Sequence, residues 1–168
     1  MTEFLASLEN SALGIWVRES GSLWAYPMII TFHSFGLAII VGLNAAIDLR
    51  LLGVAPSLPV APLEKLFPIM WFGFWMNAIS GLLLLVGDAT TMVRSPIFAL
   101  KMAVIGLAVA NLIVMKRSAF RRQSWAGGIV PARIKLLATT SLVLWTCAIT
   151  AGRLTAYLGP SAGVKGIH

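Results

Sequence analysis

The sequence predicts an all-helical integral membrane protein: a four-helix bundle with an amphipathic surface helix at its amino-terminal end. Three observations predict it. Of 168 residues, 58% are hydrophobic and 11% charged, with a mean hydropathy of +0.88; a soluble domain averages about 45–50% apolar and about 25% charged residues. Four stretches approach or exceed the ~20 mostly apolar residues that cross a hydrocarbon layer ~30 Å thick. The charges gather in the connections between them. Residues 1–168 therefore read as a single membrane domain.

The elements follow in order. In Thr2 to Glu19, the apolar Phe4, Leu8, Ala12 and Ile15 recur at helical spacing, while Glu3, Ser7, Asn10 and Arg18 fall elsewhere. Thr2 can cap this helix and Trp16 suits an interface, so it is expected on the outer face of the membrane, ending before Gly21 and Ser22. The spans run from Trp24 to Leu49, Phe67 to Val86 (closed by Asp88), Pro96 to Met115 and Ile134 to Leu158. They must be helices, because an open strand would leave backbone groups unpaired in lipid. The first is too long, too far along the chain and too poor in preceding basic residues to be a signal peptide. Between spans one and two, Pro56, Pro59, Pro62 and Pro68 predict an extended connector. The connection Lys116 to Arg133 is basic and carries Gly127, Gly128 and Pro131.

Charge sets the expected topology. Arg50, Lys65, Lys116, Arg117, Arg121, Arg122, Arg133 and Lys135 lie on one side of the four spans, and Arg18, Arg94, Arg153 and Lys165 on the other. The positive-inside rule places the basic loops in the cytoplasm and both termini on the periplasmic side, as expected for a bacterial inner-membrane protein. The net charge of +7 thus points to anionic lipid headgroups and not to nucleic acid.

Cys147 is the only cysteine, so no intrachain disulfide forms, and the missing CxxC and CxxCH exclude thiolate zinc sites and covalent c-type haem. A lone cysteine in a span reads as a small packing residue. No GxGxxG, Walker, GxSxG or HExxH pattern is present, which leaves soluble-enzyme chemistry without a foothold.

Ionisable groups inside a bilayer are expensive and often mark function. At ~100° per residue, His33 and Asn44 share a face of span one, and Gly73, Asn77, Gly81 and Asp88 a face of span two. Lys101, Ala108 and Met115 align on span three, and Thr139, Thr146, Thr150 and Arg153 on span four. At about 1.5 Å per residue, the topology brings His33, Asp88, Lys101 and Arg153 to the outer half of the bundle. Other readings stay open: His33 as a cross-helix hydrogen bond, Lys101 and Arg153 snorkelling to headgroups, Asp88 as a cap, the Gly and Thr stripes as packing surfaces. Met28, Met76, Met92 and Met102 read as core filler, although thioethers also bind Cu(I).

The segment TFHSFGLAIIVGLNAAIDLRLL resembles the first helix of the haem-binding, four-helix protoporphyrinogen IX oxidases of bacteria. LEKLFPIMWFGFWMNAISGLLLL resembles their second helix and SPIFALKMAVIGLAVANLIVMKR their third. The resemblance covers Tyr26 to Phe120 and implies a haem-ligating role for His33 and an important role for Lys101. The copper-resistance D-type membrane proteins have a similar histidine-then-lysine order, and the whole chain resembles a family of small bacterial four-helix membrane proteins. The chain departs from the oxidases in its amino-terminal helix, and in Asn111 and Leu112 where they carry a polar, histidine-containing stretch. What the resemblance implies is a haem b protein, an electron-transfer protein or a haem-dependent oxidoreductase. His33 would be the iron ligand, and Lys101 and Arg153 would lie near the propionates. Phe35, Phe74, Trp75 and Trp145 would build the slot, with Met28, Met102 or another subunit at the sixth position. Two further readings are a copper-handling protein using His33 with methionines, and an accessory subunit of a homo-oligomer or larger membrane complex.

Overall fold

The computed structural model describes residues 2–120 and 130–158, and the described residues are almost entirely helical. Arg121, Arg122, Gly127, Gly128, Lys165 and His168 lie outside them. The helices are α1 (Thr2–Glu9), α2 (Ala12–Glu19), α3 (Tyr26–Leu52), α4 (Phe67–Gly87), α5 (Ala89–Arg94), α6 (Pro96–Ala119) and α7 (Ala132–Leu158). Four helices are long and apolar enough to cross a membrane, at the places the hydropathy predicts. Their outward faces carry large apolar side chains such as Phe72, Ile79, Leu82 and Leu107, each more than half exposed. Such a surface suits lipid and not water.

Local chemistry fixes the ends. Pro27, Pro68 and Pro96 sit in the first turns of α3, α4 and α6, where a missing N–H costs nothing. Ser95 caps α6 by accepting from the Phe98 N–H. Gly53, at φ 107°, ends α3 in a left-handed turn in which the Val54 N–H reaches the Leu49 carbonyl at 2.9 Å. Arg50 then staples the inner loop by donating to the carbonyls of Pro56, at 2.9 Å, and Leu58.

Two expectations are corrected. The expected single helix Thr2–Glu19 is a helical hairpin. The Ser11 hydroxyl accepts from the Gly14 N–H and starts a new helix, and a Cβ on Gly14 would lie 2.4 Å from the Glu9 carbonyl oxygen, so the turn needs glycine. The proline-rich connector is not extended throughout: Ala61–Leu66 winds into a 3-10 helix with Pro62 in its first turn, leading into α4.

The spans pack in the order α4–α3–α7–α6. The α3/α4 and α6/α7 interfaces are the most extensive and α3/α7 joins the two pairs, while α4 and α6 pack no face against each other. At the end where α3 stops, that seam is closed by Phe67 and Phe120, edge to face at 5.3 Å, with the Lys116 ammonium 5.0 Å from the Phe67 ring centre. At the opposite end the short α5 connects α4 to α6. The apolar core sits in the half with Phe67 and Phe120, around Ile47, Leu51, Met70, Leu112 and Met115. The α1–α2 hairpin packs on α4 and α5 at the other end, with Val17 against Gly87.

Candidate functional site

Glycines bring α3 and α4 together. A Cβ on Gly36 would lie 2.6 Å from the Asn77 backbone nitrogen and 2.7 Å from the Gly73 carbonyl oxygen, and one on Gly73 would lie 2.7 Å from Ile39 Cγ2. At this separation polar side chains reach the opposite backbone. Asn77 Nδ2 donates to the His33 carbonyl at 2.7 Å, and His33 Nδ1 lies 2.9 Å from the Asn77 carbonyl oxygen. The Ser80 hydroxyl is 3.2 Å from the same ring nitrogen and donates to the Met76 carbonyl at 2.7 Å.

This geometry selects a tautomer. A carbonyl only accepts, so in the neutral ring Nδ1 carries the proton and Nε2 presents its lone pair. A backbone carbonyl on one imidazole nitrogen is also the common way proteins orient the other toward a metal. Gly81 makes room for the ring: a Cβ there would stand 3.1 Å from His33 Cε1.

Lys101 of α6 is half-buried and within electrostatic range of His33. Its stem runs toward α7, where a Cβ on Gly152 would be 3.8 Å from Cε and 3.9 Å from Nζ. Among the described residues no hydrogen bond or ion pair holds its ammonium. His33 and Lys101 thus lie within electrostatic range of each other, with no bond between them among the described residues. Arg153 is exposed on α7, and among the described residues no contact joins it to either. Asp88 lies within electrostatic range of Arg18 of the hairpin, and among the described residues no bond joins it to His33.

The slot residues divide. Phe74 is half-buried and Trp145 buried, whereas Phe35, Trp75 and Met102 are each more than half exposed and point away. The α7 interior face is also corrected. Thr139, Thr146 and Thr150 face outward, each hydroxyl satisfied by the carbonyl four residues before it, and Cys147 is exposed. A threonine that bonds its own helix is free to face lipid. The interior face is Ala138, Ser141, Trp145 and Ala148, whose mostly small side chains let α3 and α6 approach. The expected stripes of α3, α4 and α6 fare better: Asn44, Gly73, Ala108 and Met115 are buried. Asp48, Ser80 and Ser141 were missed. The signal for Asp48 was its place one turn from Asn44, which marks it as sharing the buried face.

Set against protein-family models, curated proteins and solved structures, the chain matches none. The resemblance drawn from spans one to three thus rests on the residues quoted for it. Among the described residues no three His, Cys, Asp or Glu side chains converge into a metal site. A haem iron asks for fewer protein ligands than a bare ion does.

Above the His33 site, charge pins the hairpin. Glu9 accepts from the Thr90 hydroxyl at 2.5 Å and the Thr90 N–H at 3.2 Å, and pairs with Arg18 at 3.1 Å. The Thr90 hydroxyl foremost, then its N–H and the Arg18 charge, outweigh burial and hold the Glu9 carboxyl below its ordinary value of 4.5. A depressed carboxylate stabilises docking above the unfolded value, and that contribution is lost as pH falls through the lower folded one. Hydrogen exchange of α1 and α2 in detergent is therefore expected to quicken as pH is lowered from neutrality to below 4.5, after correction for intrinsic exchange. In Glu9→Gln it should be faster already at neutral pH and should lose that transition. Protection of the hairpin that is the same at both pH values would contradict the role given to Glu9.

Proposed function

We propose that this chain is a multi-pass protein of the bacterial inner membrane that binds haem b through His33 and serves electron transfer. The observation that carries the reading is the fixed imidazole: Nδ1 is held by the Asn77 carbonyl at 2.9 Å, so Nε2 is left for a metal. When bound, haem supplies one-electron chemistry, and this chain supplies the axial ligand, an apolar surround and a nearby cation. The Lys101 ammonium, without a bonded acceptor among the described residues, suits an anionic propionate. The α4/α6 seam is the natural place for a flat apolar group, next to the half-buried Phe74. Arg153, being exposed, suits the membrane surface better than the cofactor.

The distribution of cations supports periplasmic termini and cytoplasmic basic loops. A reporter fused after His168 should read periplasmic; a cytoplasmic signal would invert the assignment. Exposed Phe4, Ile15, Trp16 and Trp24 support an interfacial position for the hairpin. At the inner end a cavity of about 310 Å³ between α4 and α6, lined by Trp71, Leu112, Lys116 and Arg117, with Glu64 at its edge, supports contact with anionic headgroups.

A second reading has its own observation. The reciprocal bonds between His33 and Asn77 sit at the tightest point of the α3/α4 crossing, which is also what a structural strut in an accessory subunit would need.

One experiment separates the two. The protein is expressed with ample haem, purified in mild detergent, and its reduced-minus-oxidised spectrum is recorded. Wild type should show b-type bands. His33→Ala should lose the iron bond and those bands, and Lys101→Ala should retain less haem with the bands unshifted. A colourless wild type, under conditions that load a control haem protein, would falsify the haem reading and leave His33 as a strut. An unchanged spectrum in His33→Ala would move the ligand elsewhere.

A further inference from the structure

The inner half of the bundle holds a second polar cluster, separate from His33. Asn44 and Asp48 lie one turn apart on α3, and Ser141 faces them from α7; all three are fully buried. Asn44 Nδ2 donates to Asp48 Oδ2 at 2.6 Å and to Ser141 Oγ at 2.6 Å, which uses both amide hydrogens. Ser141 lies beside Asp48 as well. Three buried polar atoms of this region have no partner: Asn44 Oδ1, Asp48 Oδ1 and Trp145 Nε1. Trp145 stands one turn beyond Ser141 on the same face of α7.

Among the described residues, no cation is paired with Asp48. On its own helix Arg50 is committed to the carbonyls of Pro56 and Leu58. Lys65 and Glu64, before α4, are exposed, as are Arg117 at the end of α6 and Arg133 and Lys135 at the start of α7. Lys116 lies over the Phe67 ring. The rest of the inner-half core, including Phe67, Met70, Met115 and Ala138, is apolar. A charged carboxylate in such a place is costly, and with no paired cation among the described residues a proton is the direct way to remove its charge.

Asp48 Oδ2 already accepts from Asn44 Nδ2, so a proton on Oδ1 would remove the carboxyl's charge and leave that bond intact.

We propose that Asp48, held between Asn44 and Ser141, is a reversible proton-binding site inside the inner half of the bundle. Intramembrane carboxyls of this kind serve as relay points for protons. The proposal is independent of haem binding, and its failure leaves the reading of His33 untouched.

The chain has two aspartates, Asp48 and Asp88. Labelling the aspartate side-chain carboxyl with carbon-13 in the Asp88→Asn protein therefore makes Asp48 the single reporter. Asp88 is half-exposed and makes no side-chain hydrogen bond as a cap, so this variant should fold. The labelled protein, in lipid nanodiscs, is titrated while the infrared carboxyl bands are followed alongside circular dichroism. Loss of the protonated C=O band should be matched by gain of the carboxylate bands, in one transition within the folded range. The C=O band should move to lower frequency in deuterium oxide, and Ser141→Ala should displace the transition. Three outcomes would each overturn the proposal. The carboxyl stays ionised throughout, it stays protonated throughout, or its bands answer to sodium ion at constant pH and not to pH.

Discussion

A methyl group on Gly36 would collide with the backbone of α4, and most of the site depends on that closeness. With the α3 and α4 backbones nearly touching, an asparagine on one helix reaches a carbonyl on the other, and a histidine on the second returns the bond. No hydrophobic force drives helices together within lipid, so close packing and interhelical hydrogen bonds must do so. Gly36, Gly73 and Gly81 clear the space, and His33, Asn77 and Ser80 fill it with polar contacts. The orientation of the imidazole follows from the helix crossing.

The two halves of the bundle then differ in kind. The half around the carboxy-terminal end of α3 is a packed apolar core, closed by Phe67 against Phe120, with the Asn44–Asp48–Ser141 cluster inside it. In the other half Lys101 leans toward Gly152, and the α1–α2 hairpin packs on the end through Glu9, Arg18 and Thr90. The proposed cofactor site belongs to this second half and the proposed proton site to the first.

Hydropathy made the four spans legible because length and apolarity are local properties. Helical periodicity also placed Asn44, Gly73, Asn77, Ala108 and Met115 on inward faces. It misplaced the α7 face because Thr139, Thr146 and Thr150 look polar in sequence, yet each hydroxyl bonds its own helix and leaves the side chain free to face lipid. Arg153 and Asp88 were grouped with His33 by helix face and by depth, and for Arg153 the face was the threonine stripe that turns outward. The hairpin break at Ser11 depended on a cap and on a glycine three residues later, a signal present in the sequence but hidden by an unbroken apolar stripe. Asp48 was passed over, although it stands within span one and one turn from Asn44. In the structure, Arg50 turns to the loop and Asp48 turns inward.

The central claim, that the glycine-mediated α3/α4 crossing holds the His33 site, is tested most directly by comparing Gly36→Ala with Gly42→Ala. Both add one methyl to α3, but a Cβ on Gly42 meets nothing within 4 Å, whereas one on Gly36 meets backbone at 2.6 Å. Thermal or denaturant unfolding in detergent should show Gly36→Ala destabilised by about 1–3 kcal/mol, the usual cost of overpacking, with Gly42→Ala unchanged or slightly more stable. Equal stability of the two variants would contradict the account, because the crossing would then not be as close as the hydrogen bonds between His33 and Asn77 require.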